Sequence, residues 1–340
     1  MKKQNLILLI SVIIISLSGC KNKEKIEKIN LTKEIFYEMP IKNPYFDETT
    51  PWYYNNIEKE SRLEFINLLI SAAKSGKYTL LDYQGKELDP NKLTDAFCFV
   101  HPIFDSISDT LICYEIEDIA YLEFEENWEY DQNTGKIFKE VHGISPCFSI
   151  EQKLGYEGKE FRKIFSLQPK LTDSEEKEYD KVITERIVYD AFIINPHFQI
   201  KKENYNAITL EKRKEYINSI FDKVKNEEIQ CYDYYFSPIP AAEASQILYS
   251  KDTIQVMDPN PPYDTRDTVV ENSLNAEDIT KIRFMEKWSI NTKSMEMHKE
   301  VIGISFLYTS YIGDIPGYMH VFWIFFDEDY QKKLLDEKSS

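Results

Sequence analysis

Two segments of the chain alternate between apolar and polar residues with a period of two. Leu122, Phe124, Glu126, Trp128 and Tyr130 share one side of an extended strand, as do Ile282, Phe284, Glu286, Trp288 and Ile290. Residues 131–135 (Asp-Gln-Asn-Thr-Gly) carry turn chemistry, and residues 137–145 return as a second strand. Residues 321–326 are wholly apolar and predict a last, buried strand. Elsewhere the period lengthens. Leu63, Ile66, Leu69, Ile70 and Ala73 fall at helical spacing before Gly76, and Leu210, Ile217, Ile220, Phe221 and Val224 do so after Thr209. A short strand follows each helix, at residues 78–83 and 229–234. The pattern predicts an α+β fold of two tandem homologous units, each an N-terminal amphipathic helix plus a small antiparallel β-sheet.

The units are tandem because the segments repeat. Residues 117–128 return at 277–288 and residues 139–145 at 299–305, at an offset of 160, which also brings Ile164-Phe165 onto Ile324-Phe325 and Lys163 onto Trp323. Upstream, Asn43-Pro44-Tyr45-Phe46 matches Asn195-Pro196-His197-Phe198 at 152, and Arg62, Ile66 and Asp82 match Arg213, Ile217 and Asp233 at 151. So long a period is a duplicated domain and not a solenoid repeat. The offset grows by nine between Tyr83 and Glu117, and the Pro-rich residues 258–264 of the second copy lie there, as expected of a surface loop. Glu126 and Lys139 recur as Glu286 and Lys299. Both look inward, and a short turn places each Glu across its own hairpin from its Lys as a structural ion pair.

The first residues read as a processing signal. Lys2 and Lys3 precede an apolar run from Leu6 to Leu17, closed by Leu17-Ser18-Gly19-Cys20. The run is shorter than the roughly 20 residues a membrane span needs, and its layout is that of a secretory signal. Ending on Cys20, it resembles a bacterial lipoprotein signal, which implies lipid attachment at Cys20 and a lipobox of Leu17, Ser18 and Gly19. Two or more acyl chains anchor a protein stably, and Lys21 in place of an Asp points to the outer membrane, on an undetermined face. The organisation expected is a signal peptide at 1–19, a charged tether at 20–33, a first unit at 34–171, a linker at 172–183, a second unit at 184–330 and a tail at 331–340.

Charge narrows the partners. With 41 Lys+Arg against 58 Asp+Glu the formal net charge is −17, which disfavours nucleic acid, whose phosphates are bound by Lys and Arg. The 23 Tyr and 20 Phe suit buried sheets and protein interfaces alike. Cys98, Cys113, Cys147 and Cys231 have no counterparts in the other copy. An oxidising compartment permits a pair such as Cys98–Cys113, and free buried thiols are the alternative.

The second copy resembles a known family. Residues 269–279, then 284–288, 301–305 and 321–326 look like the GldN/PorN family of gliding motility and type IX secretion; residues 74–83 and the Asn-Pro-aromatic entries at Asn43 and Asn195 are similar too. The resemblance implies a periplasmic, structural component of a ring beneath the outer membrane, held by protein partners and not an enzyme. Two units and a lipid of its own set this chain apart from that pattern.

Catalytic furniture is sparse. There is no phosphate loop, no His-x-x-x-His, no Cys-x-x-Cys and no nucleophile elbow. His101, His142, His197, His298 and His320 are scattered. No catalytic, cofactor-binding or metal residues are assigned. The function expected is that of a non-enzymatic outer-membrane lipoprotein, a structural or interaction component related to that machinery. The alternatives are a glycan- or peptide-binding lipoprotein using Trp52, Tyr53 and Tyr54, and a carboxylate-dependent hydrolase.

Overall fold

The computed structural model describes residues 27–42, 57–101, 110–149, 161–170, 178–194, 208–257, 259–260, 263–312 and 315–339. The first half contributes β1 (Lys28–Pro40), α1 (Lys59–Lys74), β2 (Thr79–Leu81), β3 (Cys98–His101), β4 (Thr110–Cys113), β5 (Ile119–Asp131), β6 (Ile137–Ser149), β7 (Phe161–Lys163) and β8 (Ser166–Gln168). The second contributes β9 (Lys181–Phe192), α2 (Leu210–Lys225), β10 (Cys231–Tyr232), β11 (Pro238–Ile239) and α3 (Ala241–Leu248). It continues with β12 (Tyr249–Met257), β13 (Thr265–Ser273), β14 (Ile279–Ile290), β15 (Met297–Ile312), β16 (Ile315–Phe325) and α4 (Glu328–Ser339).

The strands form two six-stranded antiparallel sheets, β1-β5-β6-β8-β2 with β7 also on β6, and β9-β14-β15-β16-β10-β11. Two separate hairpins, β3–β4 and β12–β13, stand beside them. The expectation of an α+β unit built from a helix and a small sheet is therefore wrong. The described chain is about half strand and a quarter helix. The shortfall lay in β1 and β9. Leu31, Ile35, Tyr37 and Met39 alternate inward along β1, but Lys and Glu on its other face make it look like a charged tether, whose expected span of 20–33 overlaps the strand from Lys28. Ile183, Ile187, Tyr189 and Ala191 do the same along β9. The residues expected as a C-terminal tail are the body of α4.

The inward faces of the two sheets pack on each other in one continuous core. Leu122, Phe124, Glu126, Trp128 and Tyr130 are buried as the alternation predicts, and so are Ile282, Phe284, Glu286, Trp288 and Ile290. Rings interleave edge to face across the seam, Phe124 on Trp288 at 5.3 Å and Trp128 on Phe284 at 5.1 Å. Each such side chain contributes roughly 1.5–3 kcal/mol by leaving water, so neither sheet retains this stability without the other.

A tyrosine from each half locks the seam at its ends. The turn at 131–135 closes as expected, with Gly135 at φ 72° and Asp131 accepting from Asn133 N and Thr134 Oγ1. The Gly135 carbonyl accepts from the hydroxyl of Tyr216 on α2, at 2.9 Å, and Tyr216 packs on Tyr130. At the other end Tyr78 donates to the carbonyl of Lys293 in the β14–β15 turn. Each half thus grips the hairpin turn of the other.

Strand pairing corrects one alignment. Ile144 pairs with Leu167, whereas Ile304 pairs with Ile324; Cys147 pairs with Lys163, whereas Leu307 pairs with His320. Lys163 therefore occupies the place of His320, and Ser166 that of Trp323. The break between β7 and β8 absorbs the shift, which a gapless comparison of sequences misses.

Candidate functional site

Eight side chains meet at the middle of the seam, four from each half: Tyr37, Glu126, Trp128 and Lys139, with Tyr189, Glu286, Trp288 and Lys299. The strand pattern delivers them. β1 and β9 lie beside β5 and β14, so Tyr37 faces Phe124 and Tyr189 faces Phe284 in register. Tyr37 donates to Glu126 Oε2 at 2.8 Å and Trp128 Nε1 to the same oxygen at 2.6 Å. The second half repeats this, with Tyr189 on Glu286 Oε2 at 2.8 Å and Trp288 Nε1 on it at 2.8 Å. The two tyrosine hydroxyls are 3.0 Å apart and their rings stack.

The ion pairs cross the seam. Lys139 Nζ lies 2.6 Å from Glu286 Oε1, and Lys299 Nζ lies 2.5 Å from Glu126 Oε1. Each ammonium also donates to the opposite tyrosine, Lys139 to Tyr189 at 2.9 Å and Lys299 to Tyr37 at 3.0 Å. Each sits over an aromatic face, Lys139 on Phe284 and Lys299 on Phe124. The expected pairing within a hairpin is therefore replaced by pairing between halves. The register shift at Glu125/Glu126 sets Lys139 opposite Trp128 and Glu126 opposite Val141, so the hairpin's own Glu and Lys are only diagonal neighbours.

All four charged side chains are fully buried. Burial works against the Glu126 charge, but the ammoniums of Lys299 and Lys139 overcome it and hold the carboxyl below its usual range. Burial pulls both lysines down, Lys299 to about 8, against the attraction of the carboxylates. Burial and the adjacent carboxylates push Tyr37 and Tyr189 well up, so both remain hydrogen-bond donors. No substrate reaches groups buried this deeply. What the cluster does chemically is satisfy itself and fix how the two sheets meet. Tyr37 and Tyr189 were missed in sequence, although their separation is the same 152 residues that relates Asn43 to Asn195.

The outer faces differ. In the second half α4 covers the sheet, packing Leu334, Tyr330 and Leu335 over Val188, Met285, Ile302, Trp323 and Phe325. In the first half Lys33, Glu34, Glu125, Asn127 and His142 line an open pocket of about 340 Å³. Cys98 and Cys113 are joined across β3–β4, and Cys147 and Cys231 are buried thiols.

Cys20, Leu17, Ser18 and Gly19 lie outside the described residues, as do Trp52, Tyr53, Tyr54 and His197. His142 lies against Glu140, His298 stacks on Tyr179, and His320 is packed among Tyr234 and Trp323. Among the described residues no group of three or more His, Cys, Asp or Glu is placed to hold a metal ion. Among them, too, no helix is long and apolar enough to cross a membrane.

Residues 172–338 match the family model described as gliding motility associated protein GldN. No curated protein and no solved structure matches the chain. Over those residues, which span the whole second sheet and nearly all of α4, the chain is GldN-like, in agreement with the resemblance its sequence carries.

Proposed function

We propose that this chain is a non-enzymatic structural component of a cell-envelope assembly related to gliding motility or type IX secretion, held at the outer membrane by lipid on Cys20. The observation that carries the reading is the GldN match over residues 172–338, joined to a centre whose only evident chemistry is to lock two sheets together. The first half is a second, diverged copy of the same unit. Three matches support the duplication: the equivalent strand orders, the paired Tyr–Glu–Trp–Lys sets, and hairpins at like places in the chain. The boundaries near residues 34 and 184 fall inside β1 and β9, the first strand of each copy. Tandem copies in one polypeptide give the pair an effective concentration that separate subunits lack. Residues 20–27 lead from the anchor to β1, and protein partners bind the surfaces around the seam.

Anchorage is tested by feeding cells a labelled fatty acid and fractionating their envelopes. The reading expects label on the chain, sedimentation with outer membranes, and loss of both in Cys20→Ala. An unlabelled chain, released in soluble form by osmotic shock, contradicts it.

A further inference from the structure

The two copies send a hairpin out of opposite ends of the sandwich. In the second sheet β14 pairs with β15 as far as Tyr308, opposite Ile279. β15 and β16 go on pairing beyond that point, from Thr309–Tyr318 out to Ile312–Ile315, with no other described strand beside them. At roughly 3.4 Å per residue this free ribbon extends about 14 Å. Tyr318 packs edge to face on Phe192, and Lys281 Nζ lies over both rings, which stiffens the base. In the first sheet the matching strands, β6 and β7, pair out to Ser149–Phe161, past Ile119 at the start of β5.

The turn at 131–135 tells the two ends apart. Glu27, where the described chain begins, accepts from Gln132 N in that turn. Gly135 of the turn is held by Tyr216, whose ring packs on Phe306. Phe306 pairs with Ile282, near the start of β14, where β15 and β16 run out. The chain therefore enters β1 at the end that carries the β15–β16 ribbon. The β6–β7 hairpin leaves from the other end, because Ile119 and Asp131 close β5 at opposite ends.

Composition follows this asymmetry. Cys147 pairs with Lys163 and Leu307 with His320, so the segments between them are equivalent. The first holds Glu151, Lys153, Glu157, Lys159, Glu160 and Arg162. The second has Asp314 as its one charge, with Tyr308, Tyr311, Ile312, Ile315, Tyr318 and Met319. Tyr318 and Met319 are exposed. In a chain of net charge −17, an uncharged ribbon at one end only marks a surface for an apolar environment.

We infer that the β15–β16 ribbon dips into the lipid of the membrane that holds the chain. Residues 21–27 separate Cys20 from β1 and span at most about 25 Å when fully extended. A body held that close brings the ribbon, at the same end, to the headgroups. Tyrosine suits this boundary, where its hydroxyl stays wet and its ring does not. Lipid on Cys20 fixes one point of the body and the ribbon fixes a second, so the protein keeps one orientation on the membrane. The inference rests on the reading that Cys20 carries the anchor.

The test uses the chain from Lys21 to Ser340 with an N-terminal histidine tag in place of the lipid. A nickel-chelating lipid tethers it to phosphatidylcholine vesicles. An environment-sensitive fluorophore is attached through Met319→Cys on the ribbon, or through Lys293→Cys in the β14–β15 turn at the far end. Cys147 and Cys231 are buried and stay unlabelled. Emission from position 319 rises severalfold and shifts to the blue on vesicles, while position 293 stays as in buffer. Ile312→Asp/Ile315→Asp, which leaves both sheets intact, removes the rise without releasing the chain. A silent position 319, equal responses at the two positions, or a rise that survives the aspartates overturns the inference. So does a position 319 that brightens with lipid-free envelope proteins and not with vesicles. Because the tag stands in for the lipid, failed fatty-acid labelling in cells refutes the anchor, and silence at position 319 refutes the docking, each alone.

Discussion

Lys139→Met tests the seam where its energy is concentrated. The substitution keeps most of the stem's volume and removes the ammonium that lies 2.6 Å from Glu286 and 2.9 Å from Tyr189. Breaking a fully buried ion pair on one side costs about 3–5 kcal/mol, because the abandoned charge has no water to turn to. Against a total stability of about 5–15 kcal/mol, that is a large fraction. Glu286→Gln removes the same charge pair from the other side and keeps an oxygen that accepts from Tyr189 and Trp288. Combined, the two changes leave no unpaired charge, so the double variant is more stable than the sum of the single losses. Urea unfolding of wild type, both singles and the double gives the coupling energy, expected at about 1.5–3 kcal/mol. The matching cycle of Lys139→Met with Glu126→Gln reports the pairing within one hairpin, where contact is diagonal, and gives a clearly smaller value. A larger coupling to Glu126 than to Glu286 refutes the crossed arrangement.

Three further expectations follow from single residues. Burial, and then the charge of Arg283, pull His320 down to about 3 despite Asp190. The folded protein keeps this imidazole neutral while the unfolded chain protonates near 6.5, so stability falls as pH drops from about 6.5 towards 3, by up to roughly 4 kcal/mol, and His320→Phe flattens that part of the urea-midpoint profile. Gly135→Ala places a Cβ on the Ile220 side chain at a positive φ, whereas Gly85→Ala meets nothing at a similar φ; the first costs at least about 2 kcal/mol and the second about 1, and equal melting shifts would deny the contact of α2 with the turn. Burial raises the thiol of Cys231 to about 11 and pushes that of Cys147 well above its usual range, so neither reacts with a thiol reagent at pH 8 until denaturant is added.

The parts of the fold that were legible are those whose signal is local. Period-two alternation at Phe124, Glu126 and Trp128 fixed which side of β5 is buried, and the Asp131–Gly135 turn fixed where β6 begins. Helical spacing before Gly76 located α1, and Gly76 has the positive φ expected of a stop. What stayed hidden depends on the opposing layer. A strand pattern tells which face is inward but not what lies across the core, so Glu126 was matched to Lys139 of its own hairpin and not to Lys299. β1 and β9 escaped because charge on their outer faces outweighs four inward residues in each. The offset of 160 failed at Lys163, where a strand break changes register without changing the look of the sequence.

The most direct measurement of the functional claim is mild crosslinking in intact cells, followed by purification through a C-terminal tag and identification of the attached proteins. The account predicts components of the gliding-motility or type IX secretion machinery, enriched from outer-membrane fractions. Recovery of the chain alone, or with enzymes of an unrelated process, would contradict it.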